Sequence, residues 1–352
     1  MADREGSYDG SSPFVVVWES TKACDYACKH CRANAIKYRS PDELTTSEAK
    51  RLIEDISDSG VKLFVISGGD PMKRDDIFEL LAFSSSHIRT AFSPSGARIN
   101  RENARLIKEA GIDTVSISLD GTETVHDSFR CFEGSYKMSV SSIGYLKEAG
   151  IGVQINTTIS RFNIGLLNEI KDIVLSMHVS MWDIFMLVPT GRARVGMMIS
   201  PEEAELVMRT VAQWRINGIN VRMTCAPYLV RIMNDFGLSP VKPDSLGRKS
   251  LNGARGCMAG NGYVFISSDG SVMPCGYLPV RIGNVKSGKL LDIYRSDSMA
   301  KFRKPADLLG KCGMCEYRTV CGGCRARSFS ISGDAFGEDP FCVYMPKGLR
   351  YA

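Results

Sequence analysis

Residues 14–31 read FVVVWESTKACDYACKHC, a strand-sized apolar run that is followed at once by three cysteines. The β-branched and aromatic run over residues 14–18 predicts a buried strand. Cys24, Cys28 and Cys31 have the spacing C-x3-C-x2-C, which leaves one position of a tetrahedral site or cubane cluster to another ligand. Sites in parallel α/β folds lie at the carboxyl ends of strands, so this segment predicts a metal centre there.

Strand-like runs alternate with amphipathic helical patterns from residue 13 to about residue 217. The predicted strands cover residues 14–18, 62–67, 89–93, 114–120, 153–159 and 183–188. Two helical patterns end at Gly60 and Gly111, where glycine can adopt the left-handed C-cap conformation. Another begins at Ser200, and Glu203 completes its capping box. Six such strand–helix units predict an α/β fold built on a partial (β/α)6 barrel.

The composition indicates a large globular protein. The 352 residues are 44% hydrophobic, which is enough for a sizeable core. The formal net charge of +5 suits an anionic substrate or an acidic electron donor. The sequence shows no apolar run of membrane-span length, no signal-peptide core and no dense basic run. We therefore expect a cytoplasmic protein with no membrane span and no nucleic-acid partner.

Ten of the twelve cysteines fall in two groups, over residues 24–31 and 257–342. In an intracellular chain of this length, grouped cysteines favour metal binding over a disulfide scaffold. A segment rich in Gly, Pro, Ser and basic residues separates the two groups. The predicted organisation is a flexible N-terminus (1–12), a barrel (13–217), a bridging segment and linker (218–256) and a cysteine-rich domain that folds around metal (257–345).

Spacing alone leaves the metal at the first cysteine group open. A zinc site with His30 as fourth ligand fits the residues, and so does an iron–sulfur cluster. Together with the six-fold repeat, the motif resembles the radical S-adenosylmethionine (SAM) superfamily. In that superfamily, three cysteines hold a [4Fe-4S] cluster whose fourth iron is chelated by SAM. The resemblance implies that Cys24, Cys28 and Cys31 hold the catalytic cluster and that SAM fills the vacant position.

Further segments resemble the SAM-binding segments of that superfamily. SGGDP (67–71) is similar to its Gly-Gly-Glu-Pro turn, with aspartate in place of glutamate, and SISLDG (116–121) is similar to its polar segment near the ribose. Taken alone, each also fits an ordinary turn. The resemblance implies cofactor contacts at Gly68, Gly69, Asp70, Pro71, Ser93, Ser118, Asp120, Asn156 and Leu187.

The cysteine-rich region resembles the SPASM domain, with the pattern C-x9-15-G-x4-C, then C-x2-C-x5-C-x3-C, then C. Its last internal interval, in CGMCEYRTVCGGC (312–324), is two residues rather than three. The resemblance implies two auxiliary [4Fe-4S] clusters. One would be fully ligated, by Cys312, Cys315, Cys321 and Cys342. The other would be held by Cys257, Cys275 and Cys324, with one iron open or bound by an unidentified ligand. A zinc ribbon on residues 312–324 is the alternative.

Several phrases, among them WESTKACDYACKHCRANA, LVPTGRA and TCAP, resemble radical SAM enzymes of siroheme-dependent heme biosynthesis. The HCRA ending is similar to the heme synthase branch. The resemblance implies that a 5′-deoxyadenosyl radical starts the oxidative decarboxylation of iron-coproporphyrin propionates to vinyl groups. It also implies an anionic tetrapyrrole substrate and reduced ferredoxin or flavodoxin as electron donor. The alternatives are the didecarboxysiroheme deacetylase branch, a peptide maturase that forms thioether or carbon–carbon crosslinks, and a non-enzymatic zinc or electron-carrier protein.

Four residues are candidates for substrate contact. Arg130, Arg192 and Arg194 have guanidinium groups that can bind carboxylates through two parallel hydrogen bonds, although surface salt bridges would use them equally well. Cys225, in MTCAPY, either faces the substrate or ligates iron. Cys131 is expected to be a small buried residue without a chemical role.

Overall fold

The computed structural model describes residues 11–237 and 256–349. Residues 1–10 of the predicted flexible N-terminus and residues 238–255 of the predicted linker lie outside the described part. The described strands are β1 (Val15–Glu19), β2 (Leu63–Ser67), β3 (Thr90–Phe92), β4 (Thr114–Ser118), β5 (Gly152–Ile159), β6 (Met181–Met186), β7 (Val221–Thr224), β8 (Tyr263–Ile266), β9 (Ser271–Met273) and β10 (Gly283–Asn284).

Helices follow most of these strands. They are α1 (Thr46–Asp58), α2 (Ile77–His87), α3 (Arg101–Glu109), α4 (Glu123–Arg130), α5 (Ser135–Glu148), α6 (Leu167–Ser176), α7 (Pro201–Ile216), α8 (Leu229–Asp235), α9 (Leu290–Arg295), α10 (Asp297–Ala300), α11 (Gly310–Gly313) and α12 (Arg325–Ser332). Gly60 and Gly111 have φ angles of +72° and +82°, which confirms the predicted left-handed ends. Ser200 and Glu203 form the predicted capping box at the start of α7.

One sheet joins the described strands in the order β10-β9-β8-β1-β2-β3-β4-β5-β6-β7. Strands β1 to β7 are parallel and follow one another in sequence. Because crossovers between parallel strands are right-handed, a sequential order puts every connecting helix on the same face. The sheet therefore curves around its other face, as the predicted partial barrel requires.

The sheet is longer than the six predicted strands. β7 lies in the predicted bridging segment and pairs with β6, and β8 from the cysteine-rich region pairs parallel with β1. The predicted strand 183–188 is shifted, because β6 starts at Met181 and ends at Met186, ahead of Pro189, which has no N–H for a ladder. The two halves of the chain thus share one continuous sheet.

The main core lies between the sheet and the helices. Alternate residues of the parallel strands, such as Val16 and Trp18 of β1, are fully buried on this side. Trp182 of β6 stacks on Trp214 of α7 with ring centroids 5.6 Å apart. Since successive side chains of a strand point to opposite faces, the residues between these apolar positions line the inside of the curved sheet. No helix in the described ranges has the length and apolar character needed to span a bilayer.

Candidate metal centres and the barrel interior

The three-cysteine loop leaves the carboxyl end of β1 and folds back on itself. The N–H of Cys24 donates to the carbonyl of Ile36 at 2.8 Å, and the N–H of Cys31 donates to the carbonyl of Cys28 at 3.2 Å. Two further N–H groups donate to sulfur, from Tyr26 to Cys24 Sγ and from Ala35 to Cys31 Sγ, each at 3.4 Å. Donors aimed at sulfur stabilise thiolates, so the loop is prepared for metal-bound cysteine.

The sulfur of Cys28, the middle cysteine of the motif, lies beside a cationic side chain. Arg130 Nη1 lies 3.8 Å from Cys28 Sγ, and its Nε donates to Asp120 at 2.8 Å. Burial raises the pKa of Cys24 to about 12, so without a metal this thiol stays protonated. Within residues 11–237 and 256–349, no group of three or more His, Cys, Asp and Glu side chains could hold a single metal ion. Cysteine thiolates are the donors that iron–sulfur clusters use, so the three side chains suit such a group by their chemistry.

His30, the candidate fourth ligand of a zinc site, packs against an aromatic ring. Its ring stacks on Phe129 with centroids 4.0 Å apart, in a tilt of 17°. Burial lowers the pKa of His30 to about 3, which keeps the imidazole neutral. The stacking packs the His30 ring against α4 beside the cysteine loop.

The SGGDP turn packs directly against the cysteine loop. The N–H of Gly69 donates to the carbonyl of Thr21, and the N–H of Asp70 donates to the carbonyl of Ala23, both at 2.7 Å. A Cβ atom on Gly68 would lie 2.7 Å from the Thr21 oxygen, and one on Gly69 would lie 2.6 Å from the Ala23 oxygen. Both glycines are therefore required by close backbone approach.

The two predicted acidic contacts are turned into the protein. Asp70 is fully buried and accepts from the Ser95 hydroxyl at 2.6 Å and from the Met72 N–H at 3.1 Å. Asp120 is also fully buried, between Arg130 and the N–H of Thr158, which donates at 2.8 Å. In this structure both carboxylates fix strand-end loops.

Four polar residues form a row across the inner face of the sheet. Parallel register pairs Ser118 of β4 with Asn156 of β5, Asn156 with Asp183 of β6, and Asp183 with Arg222 of β7. Arg222 Nε donates to Asp183 at 2.7 Å, and its Nη2 donates to Gln154 at 3.1 Å. The row brings two predicted SAM contacts next to an ion pair that the sequence analysis did not identify. The sequence pattern that could have indicated this ion pair is the charged residue Asp183 at an inward position of the strand MWDIFM.

The other predicted contacts lie at strand ends. Pro71 begins a short 3-10 turn after β2, and Ser93 follows β3, where its N–H donates to the carbonyl of Ile66 at 2.9 Å. Leu187 follows β6 and is buried. These residues share the carboxyl edge of the sheet with the cysteine loop, as the strand directions require.

The three candidate arginines have different surroundings. Arg130 is bound to Asp120, and Arg192 donates to the carbonyls of Cys28 and Ala35, both at 2.9 Å. Arg194 is exposed and donates to the carbonyl of Gly191 at 2.6 Å. Two of the three therefore support the cysteine loop in this structure.

Four cysteines of the C-terminal region line one cavity. Cys312, Cys315, Cys321 and Cys342 share it with Tyr228 and Tyr317, among other residues. N–H groups donate to two of the sulfurs, from Tyr317 to Cys315 Sγ at 3.4 Å and from Gly323 to Cys321 Sγ at 3.5 Å. The resemblance to the SPASM domain implies these four cysteines as the ligands of a fully ligated auxiliary cluster, and four thiols are the donor set that such a group takes.

The remaining cysteines of this region form a second group. Burial raises the pKa of the Cys257 and Cys275 thiols, and the nearby Cys324 thiolate raises both further. The N–H of Tyr277 donates to Cys275 Sγ at 3.5 Å. Cys131, by contrast, is exposed rather than buried as predicted, and it ends α4 with a φ angle of +53°.

A buried ion pair lies between the two auxiliary groups. Arg327 and Asp339 are both fully buried, and Arg327 Nη1 lies 2.9 Å from Asp339 Oδ2. The N–H of Cys324 donates to Asp339 Oδ2 at 2.7 Å, and the N–H of Cys342 donates to the Asp339 carbonyl at 3.1 Å. Asp339 thus contacts a cysteine of each group, Cys324 through its carboxylate and Cys342 through its main-chain carbonyl.

Comparison with known proteins agrees with this geometry. The model of the radical SAM superfamily matches residues 18–174, and the model of the SPASM iron–sulfur cluster-binding domain matches residues 257–324. The chain is 42% identical to the AdoMet-dependent heme synthase of Oleidesulfovibrio alaskensis, covering 95% of this chain and 88% of that protein. It is 33% identical to the enzyme of the same name from Methanosarcina barkeri, covering 96% of this chain and 98% of that protein.

More distant relatives have other functions. The Fe-coproporphyrin III synthase of Methanosarcina barkeri is 29% identical, covering 96% of this chain and 89% of that protein, and the mycofactocin maturase MftC of Mycobacterium tuberculosis is 30% identical, covering 94% and 83%. The crystal structure of Streptococcus suis SuiB bound to S-adenosylmethionine superposes with a TM-score of 0.74 at 18% identity, covering 95% of this chain and 78% of that one. This last likeness concerns the fold alone.

The contact between the SGGDP turn and the cysteine loop leads to a prediction. In Gly69→Ala, the added Cβ meets two backbone oxygens, from Lys22 at 2.7 Å and from Ala23 at 2.6 Å, and neither can move without shifting the cysteine loop. SAM cleavage to 5′-deoxyadenosine by the reconstituted enzyme should fall by about 100-fold, since small misplacements in a site have effects of this size.

Gly196→Ala is the matched control, because a Cβ atom there meets nothing within 4 Å. It should cleave SAM at the wild-type rate. A Gly69→Ala enzyme as active as Gly196→Ala would contradict the assigned packing.

Proposed function

Because the chain belongs to the radical SAM enzymes that carry a SPASM domain, we propose that it converts iron-coproporphyrin into heme by oxidative decarboxylation of propionate groups to vinyl groups. The observation that carries this proposal is the identity to two AdoMet-dependent heme synthases, 42% and 33% over nearly the whole chain. The Fe-coproporphyrin III synthase and the maturase are more distant, at 29% and 30%. The chain binds a [4Fe-4S] cluster and SAM in the barrel and auxiliary iron–sulfur clusters in the SPASM domain.

When bound, SAM and the cluster supply a 5′-deoxyadenosyl radical, which removes a hydrogen atom from the propionate β-carbon before carbon dioxide and one electron leave. We propose that Cys24, Cys28 and Cys31 hold that cluster. The SGGDP turn would meet the SAM amino group with its carbonyls, because the N–H groups of Gly69 and Asp70 already bind the cysteine loop. The two C-terminal cysteine groups would hold the auxiliary clusters, which would supply an acceptor for the departing electron.

The substrate has to be fixed through its carboxylates, and the barrel interior offers a basic group for this. The Arg222 side chain is 53% exposed, although its partner Asp183 is buried. It stands in the same row as Ser118 and Asn156, the predicted SAM contacts. We propose that Arg222 binds a propionate and that Arg194 contributes from the exposed loop after β6. Arg130 and Arg192 would position the cysteine loop that they contact.

The electron that starts each turnover comes from outside the chain. We propose reduced ferredoxin or flavodoxin as the donor, since such carriers supply low-potential electrons to iron–sulfur clusters. Their acidic surfaces suit a chain with a formal net charge of +5.

The proposal is tested with reconstituted enzyme, SAM, a low-potential reductant and iron-coproporphyrin III under anaerobic conditions. Heme should form, and one 5′-deoxyadenosine should appear for each propionate converted. Didecarboxysiroheme in a parallel reaction should remain unchanged. SAM cleavage without any vinyl product from iron-coproporphyrin would overturn the assigned substrate, and loss of acetate side chains from didecarboxysiroheme would identify the deacetylase instead. A crosslinked peptide product would identify a maturase.

The role of Arg222 is tested by Arg222→Lys, which keeps the charge beside Asp183 but loses the planar guanidinium. The kcat/KM for iron-coproporphyrin should fall roughly 10- to 100-fold, because hydrogen bonds to charged groups contribute about 1.5–3 kcal/mol. SAM cleavage without substrate should stay unchanged.

Arg281→Lys is the control, because Arg281 forms a comparable ion pair with Asp269 at 2.7 Å on the protein surface. It should leave kcat/KM at the wild-type value. Equal kcat/KM values for the two variants would remove Arg222 from the substrate site.

A further inference from the structure

Cys225 joins the second auxiliary cysteine group. It lies in the loop after β7, far in sequence from Cys257, Cys275 and Cys324. Cys225 and Cys275 both pack against the small apolar cluster to which Cys324 belongs. We propose that Cys225 is the fourth ligand of the auxiliary cluster held by Cys257, Cys275 and Cys324.

The backbone at Cys225 supports a dedicated role. Its φ angle is +59°, in the left-handed region that residues other than glycine rarely adopt. Such a conformation persists only where the surroundings enforce it, and it is common at functional sites. Here it directs the side chain of the loop toward the cysteine-rich region instead of continuing β7.

The buried ion pair between the auxiliary groups fixes this arrangement. Arg327 Nη2 donates to the Cys225 carbonyl at 2.6 Å, while its Nη1 binds Asp339. Asp339 in turn accepts from the N–H of Cys324. Cys225 and Cys324 are therefore held to one another through a single rigid pair of buried side chains.

Asp339 itself is the other group near Cys324 that could bind iron. Its two carboxylate oxygens already accept from Arg327, from the N–H of Cys324 and from the N–H of Phe341, at 2.7 to 3.1 Å. Using it as a ligand would break this buried network, whereas the Cys225 thiol needs only to lose a proton.

With Cys225 as ligand, the cluster would have four thiolate ligands, and each of its irons would be bound by a cysteine. It can pass electrons but cannot bind a substrate carboxylate directly. The cluster would also tie the end of β7 to the SPASM domain, so its assembly would stabilise the junction between the two domains. This inference does not depend on which substrate the enzyme uses, so it can fail while the proposed function stands.

The test counts the iron atoms that lack a cysteine ligand in the auxiliary clusters. In the full chain, the substitutions Cys24→Ala, Cys28→Ala and Cys31→Ala remove the SAM-binding cluster, in which one iron has no cysteine ligand. A [4Fe-4S] cluster with three cysteine ligands loses its fourth iron on mild oxidation and gives the EPR signal of a [3Fe-4S] cluster. We expect almost no such signal from this variant after ferricyanide treatment.

Adding Cys225→Ala should raise the [3Fe-4S] signal to about one spin per chain, whereas adding Cys131→Ala, at an exposed cysteine, should leave it unchanged. A signal of about one spin per chain with Cys225 intact would overturn the proposal. An unchanged signal in folded Cys225→Ala would also overturn it. If that variant does not fold, Cys225→Ser decides, because an oxygen ligand must change the EPR spectrum of the reduced auxiliary clusters and an unchanged spectrum excludes Cys225.

Discussion

Strand β1 pairs with β2 on one side and with β8 on the other, and this position places both cysteine groups. Its register with β2 puts the SGGDP turn against the cysteine loop, and its register with β8 brings the SPASM domain beside the same loop. Arg32, one residue after the last cysteine of the loop, spans this junction. It pairs with Glu19 at 2.9 Å and stacks over Phe265 of β8 at 4.3 Å. A single buried strand thus determines where the two groups of cysteines lie relative to one another.

Burial of so many thiols makes metal binding part of folding. Burial raises the pKa of Cys24 and Cys275 to about 12 and that of Cys342 to about 11, so protonated thiols are favoured until iron replaces the protons. The SPASM region has few long helices or strands of its own between residues 256 and 349, and its order depends on local contacts. The Arg327–Asp339 pair is prominent among them, since removing one partner of a buried pair destabilises a protein by about 3–5 kcal/mol.

Periodicity and cysteine spacing predicted much of this protein. The six strand–helix units and the helix caps at Gly60, Gly111 and Ser200 follow from local residue preferences, which act over a few positions. Local patterns could not predict the pairing of β8 with β1, because that contact joins residues about 250 positions apart and depends on the whole sheet. Nor could they indicate that Asp70 and Asp120 turn inward. Side-chain direction at a strand end depends on partners such as Ser95 and Arg130, which only the folded chain supplies.

We propose that the cysteines hold three iron–sulfur clusters and that the first one cleaves SAM. The most direct measurement is iron and acid-labile sulfide content after anaerobic reconstitution, together with 5′-deoxyadenosine formation in the same samples. Wild-type protein should contain about twelve irons per chain, and Cys24→Ala/Cys28→Ala/Cys31→Ala should contain about eight and form no deoxyadenosine. Stoichiometric zinc in a protein that cleaves no SAM would contradict this account.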